Sequence, residues 1–60
     1  MARQNYSVIC PVADVDRVAR ELNKRDMVIL LWHNGQAFLV SATPAKVQQW
    51  NQDFPNWPCR

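Results

Sequence analysis

The sequence predicts an α+β domain with the element order β-α-β-β-α. Its three-stranded sheet would be built from residues ~6–10, 27–33 and 36–42, with helices over ~14–25 and 44–54 on one face. Three observations carry this. Met27 to Ala42 holds two apolar, β-prone runs separated by Asn34-Gly35. Asn-Gly suits the positive φ values that a two-residue type I′ turn requires, so this stretch predicts a β-hairpin. Val15, Val18, Ala19 and Leu22 recur at i, i+3, i+4 and i+7, which draws one apolar stripe along a helix. Thr43-Pro44 then supplies an N-cap and a first helical residue ahead of Val47, Trp50 and Phe54.

The first strand, Tyr6 to Cys10, ends at Pro11, which has no ladder donor. Asp14 is placed to cap the first helix through its carboxylate. The outer side of that helix carries Asp16, Arg17, Arg20, Glu21, Lys24 and Arg25. Three i,i+4 opposite-charge pairs follow, Asp16–Arg20, Arg17–Glu21 and Glu21–Arg25, each contributing a few tenths of a kcal/mol. In the hairpin, a two-residue loop sets His33 against Gln36, Trp32 against Ala37, Leu31 against Phe38, Leu30 against Leu39 and Ile29 against Val40. Alternation then places Ile29, Leu31, Phe38 and Val40 on one face, assigned to the core. Val28, Leu30, Trp32, Ala37 and Leu39 fall on the other, which would be open. Pro55 ends the second helix, because the residue before a proline is pushed out of the α region. Residues 55–60 form an extended tail.

Sixty residues make a single small domain, residues 1–60, with modest expected stability. A net charge of +2, spread over mixed signs, is weak grounds for a nucleic-acid or anionic-membrane partner. The polar N-terminus and the lack of an apolar run long enough to span a bilayer predict a cytoplasmic protein with no membrane association. Reduced thiols at Cys10 and Cys59 fit that compartment; in a secreted chain the two would be the one possible intramolecular disulfide.

With a right-handed crossover through the first helix, the second strand runs parallel to the first, and the third lies between them. This element order resembles a ferredoxin-like unit lacking its last strand. The topology leaves the strand 6–10 as an open edge, since Pro55 and Pro58 remove donors from the tail. It also leaves one apolar sheet face uncovered. Exposed apolar clusters mark association sites.

Chemistry-bearing residues are sparse. His33 is the lone histidine and flanks the turn, with no acid or nucleophile beside it in sequence. Cys10 precedes a helix N-terminus, a setting that lowers thiol pKa, and the topology brings its strand end toward His33. The chain has no C-x-x-C or H-x-x-x-H metal spacing, no phosphate-binding glycine loop and no G-x-S-x-G elbow. No enzyme activity, metal or cofactor is therefore expected.

Six aromatics remain. Trp50, Phe54 and Phe38 suit a core, whereas Trp32 near the hairpin tip and Trp57 between Asn56 and Pro58 suit contact surfaces. Gly35, Ala37 and Phe38 resemble part of the RNA-recognition-motif signature; Asn34, Gln36 and Ser41 depart from it, removing the basic residue and two aromatics. That resemblance implies base stacking on Phe38.

The expectation is a non-catalytic protein-protein interaction module, a regulator or inhibitor of the size and class encoded by phages and mobile elements. It would bind a protein partner or itself as a homodimer, through the open sheet face or edge. The contact residues would be Val28, Leu30, Trp32 and Leu39, with His33, Gln36 and Trp57 at the rim. The alternative is a small RNA or single-stranded DNA binder using Arg17, Arg20, Lys24 and Arg25 beside Phe38.

Overall fold

A computed structural model describes residues 2–33 and 35–60. The elements are β1 (Gln4–Ile9), a 3-10 turn (Val12–Asp14), α1 (Val15–Lys24), β2 (Val28–His33), β3 (Ala37–Ala42) and α2 (Pro44–Asp53). The strand order is β1-β3-β2, with β3 antiparallel to both neighbours. This is the predicted α+β topology, with β1 and β2 parallel across a central β3.

Local chemistry accounts for the element ends. At α2, the Thr43 hydroxyl accepts from the Lys46 N–H at 3.4 Å and Pro44 opens the helix, as its sequence predicts. Asp14 occupies the N-cap position of α1, but its carboxylate makes no capping bond there. It accepts instead from the Trp57 indole N–H at 3.2 Å, which ties the helix start to the tail. The C-terminus of α1 closes as a Schellman motif: Met27 N–H donates to the Leu22 carbonyl at 3.1 Å and Asp26 N–H to the Asn23 carbonyl at 3.3 Å. The motif needs a left-handed residue, and Asp26 supplies it at φ 57°. Asp26 is then held from outside by Arg3, 2.9 Å from its carboxylate, and Arg3 also donates to the Ser41 carbonyl at 2.8 Å. Of the three ion pairs expected along α1, Glu21–Arg25 closes at 2.7 Å.

The hairpin departs from its expected register from the turn to Leu30. Gln36 N–H donates to the His33 carbonyl at 3.0 Å over Gly35 at φ 70°; Asn34 lies outside the described residues. From there the ladder pairs His33 with Ala37, Trp32 with Phe38 and Leu31 with Leu39. Beyond a bulge between Ile29 and Leu31 it regains the predicted Ile29–Val40 pair. A one-residue slip moves a side chain to the other face. Trp32 thus turns to the helix-covered side, its ring centroid 4.7 Å from that of Phe38, and Leu31 turns to the open side. The indole has far more apolar surface to bury than leucine, and the extra residue at Leu30 lets it do so.

The core lies between the sheet and the helices: Val8, Val40, Phe38 and Ala42 from the strands, Val18 and Leu22 from α1, Val47 and Trp50 from α2, with Met27 and Cys10. Trp57 and Cys59 of the tail belong to it as well, which corrects two expectations. First, the β1 edge is not open. Ser7 N–H donates to the Arg60 carbonyl at 2.7 Å, Arg60 N–H to the Ser7 carbonyl at 2.9 Å, and Ile9 N–H to the Pro58 carbonyl at 2.9 Å. A proline loses its donor but keeps its carbonyl, so Pro58 still contributes to the ladder. The side-chain amide of Asn51 grips the tail from its other side, accepting from Cys59 N–H at 2.7 Å and donating to the Cys59 carbonyl at 2.9 Å. The tail therefore takes, in reduced form, the place of the last ferredoxin-like strand. Second, Trp57 is buried rather than a surface contact.

Candidate functional site

What remains uncovered is the other face of the sheet. Pairing and alternation arrange its residues in rows across β1, β3 and β2. One end row is Asn5, Ser41 and Val28. The middle row is Ser7, Leu39 and Leu31. The row at the hairpin end is Ile9, Ala37 and His33. Ile9, Val28 and Leu31 are 41%, 45% and 47% exposed, and Leu30, at the bulge on the β2 edge, is 48% exposed. A shallow depression of about 200 Å³ lies in this face, lined by Ser7, Leu31, His33, Ala37, Phe38 and Leu39.

The face carries no aspartate, glutamate or lysine. All five acidic residues and both lysines of the chain lie on the helices, the 3-10 turn or the connection at Asp26. Two arginines stand at its margins: Arg60, paired with Ser7, and Arg3, which donates to the Ser41 carbonyl and pairs with Asp26. The surface is thus apolar at its centre, with its charges confined to the margins.

Of the residues expected to make contacts, Val28, Leu39, Leu30 and His33 are on or beside this face, and Gln36 is exposed at the turn. Trp32 and Trp57 are not. Sequence reasoning missed Leu31 and Ile9. For Ile9 the signal was present: alternation along Tyr6–Cys10 sets it opposite Val8 and Cys10. For Leu31 no signal announced the bulge.

The basic set is dispersed by its own contacts. The Arg17 guanidinium lies 5.4 Å from the Trp57 ring centroid, and that of Arg25 lies 4.7 Å from Phe54 while pairing with Glu21. Both cations cap the aromatic cluster of Trp50, Phe54 and Trp57. Arg20 and Lys24 stay exposed. Phe38 is buried against the helices, so it offers no ring for a base to stack on.

The chain matches no family model, no curated protein and no solved structure.

Cys10 and His33 do not meet. Cys10 is in the core under the helices, whereas His33 lines the depression on the opposite face. Burial, and then the charge of Asp14, push the Cys10 thiol up, opposite to the lowering expected beside a helix start. Both effects disfavour the thiolate, the nucleophilic form. Among the described residues, no three His, Cys, Asp or Glu side chains gather to hold a metal, and no helix is long and apolar enough to cross a membrane.

Burial pushes the Cys59 thiol from 9.0 to about 11. A raised folded-state pKa favours the protonated thiol in the native protein. That stability is fully present below pH 9 and is lost as pH rises through 11. The Cys59→Ala variant lacks this linkage. Its urea midpoint should therefore approach that of the wild type between pH 8 and 11, with the difference closing by about 2 kcal/mol. Parallel pH dependences for the two proteins would contradict the assignment.

Proposed function

We propose that this chain is a non-catalytic binding module, a small regulator or inhibitor that acts by covering a protein surface with its open sheet face. The observation that carries this reading is the uncharged apolar face around Leu31 and Leu39, left uncovered by two helices and a tail that all pack elsewhere. Contiguous exposed apolar surface of this kind serves association in soluble proteins. The non-catalytic half of the reading rests on the separation of Cys10 from His33, the two residues whose chemistry could otherwise have combined.

The test is affinity capture from a nuclease-treated lysate of the source organism, with tagged wild type, Leu31→Arg and Arg20→Glu proteins side by side. Leu31 is half exposed, so arginine there alters the surface without entering the core. Leu31→Arg should lose the captured protein and Arg20→Glu, on the helical side, should keep it. Capture that ignores Leu31→Arg, or nucleic acid that disappears with Arg20→Glu, would overturn the reading.

A further inference from the structure

We propose that the open sheet face takes an acidic, apolar segment of a partner protein. A leucine- or phenylalanine-sized side chain fills the depression, and a neighbouring carboxylate meets Arg60. The proposal rests on reading that face as a contact surface and adds the chemistry of what it contacts.

The tail brings the charge to this face. Arg60 exchanges backbone hydrogen bonds with Ser7, so the two residues lie directly opposite each other in the β1–tail ladder. Directly opposite side chains share a face, and Ser7 lines the depression. Alternation along the tail agrees, because Cys59 is buried in the core on the other side. The middle row therefore runs Arg60, Ser7, Leu39, Leu31. It passes from a cation through a hydroxyl to apolar surface.

The two arginines at the margins differ in their partners. Arg3 is neutralised by the Asp26 carboxylate at 2.9 Å. Arg60 is exposed and makes no ion pair among the described residues. Its own carbonyl oxygen is committed to the Ser7 N–H at 2.7 Å. All five acids of the chain lie on the helices, the 3-10 turn or the connection at Asp26. A partner covering this row with apolar surface alone would strip water from an unpaired guanidinium. One that brings a carboxylate replaces that water with a charge-assisted hydrogen bond.

Size sets the apolar half. The depression holds about 200 Å³, and a cavity of roughly 150 Å³ accommodates benzene. One ring or one branched chain therefore fits. Pockets for whole small-molecule ligands begin at roughly 300 Å³, so a single side chain is the better match. Ala37 is the smallest residue of the lining, and a longer side chain there would fill the space from below.

Amide NMR titration with three capped dipeptides tests this: acetyl-Glu-Phe-amide, acetyl-Gln-Phe-amide and acetyl-Glu-Ala-amide. The first should shift the Ser7, Ala37 and Leu39 amides with millimolar affinity. Each of the others should bind at least about threefold more weakly. Arg60→Gln, which keeps the backbone pairing, should erase the preference for Glu over Gln. Ala37→Leu should erase the preference for Phe over Ala, and both variants should keep the wild-type dichroism spectrum. Equal binding of the Glu and Gln probes, a preference that survives Arg60→Gln, or no shifts at about 20 mM probe would overturn the proposal. So would nucleic acid recovered from lysate and lost with Arg60→Gln, since phosphate would then be the anion. Protein capture lost with Leu31→Arg but kept with Arg60→Glu leaves the contact surface standing without an acidic partner. Capture insensitive to both removes both readings.

Discussion

Removal of residues 55–60 is expected to abolish the cooperatively folded state. The tail looks dispensable by position, but it contributes Trp57 and Cys59 to the core and three backbone hydrogen bonds to β1. Its loss would uncover Val8, Cys10 and Trp50, which are at most 2% exposed. Burial of the Trp57 side chain alone accounts for about 4–6 kcal/mol, taking ~150–250 Å² at ~25 cal/mol per Å². A chain of this length has a total stability of roughly 3–9 kcal/mol. The truncated protein should therefore show no sigmoidal thermal transition and poorly dispersed amide resonances. Asn51→Ala offers a graded comparison, since it removes the amide grip on Cys59 and keeps the tail; a cost of about 1–2 kcal/mol is expected. A truncated chain that still melts cooperatively would show that the tail is an accessory to the fold.

Trp50→Ala should be the most damaging single substitution, at about 3–5 kcal/mol. The indole is fully buried at one end of the aromatic cluster, with its centroid 4.4 Å from that of Phe54. Its N–H also donates to the Trp57 carbonyl at 2.6 Å. Alanine would leave a cavity and a carbonyl stripped of its indole donor in the core together. Trp50→Phe separates the two effects, because it keeps much of the volume and loses the donor. Urea denaturation should rank the proteins wild type, Trp50→Phe, Trp50→Ala. Equal midpoints for Trp50→Phe and wild type would show that the hydrogen bond contributes little.

Much of this fold is legible in the chain because local chemistry and apolar spacing agree. Thr43-Pro44 starts a helix, the stripe from Val15 to Leu22 faces the core, and Gly35 turns the hairpin. The misplacements come where a longer-range choice overrides alternation. Trp32 and Leu31 are neighbours of similar apolarity, and parity along β2 assigned them to the wrong faces. The larger core gain for tryptophan is realised through a bulge that no local signal marks. Asp14 was legible as an N-cap by type and position, but the indole of Trp57, distant in sequence, takes its carboxylate. The tail follows the same pattern. Counting missing proline donors predicts a free edge, whereas the ladder that forms draws on carbonyls and on the Arg60 N–H. The apolar face survives these corrections with Leu31 and Ile9 in place of Trp32 and Trp57.

β1 has no local partner. Its neighbours are β3 on one side and the tail on the other, both reached only after most of the chain has been traversed. The hairpin and the helices gather contacts from nearby residues, while every ladder bond of β1 closes a long loop and carries its entropy. The strand thus cannot fray by itself or persist by itself. It links the first residues of the chain to the last, so that opening either end releases the other. In so small a protein this makes the fold indivisible: the chain has one closing seam, and β1 is its centre.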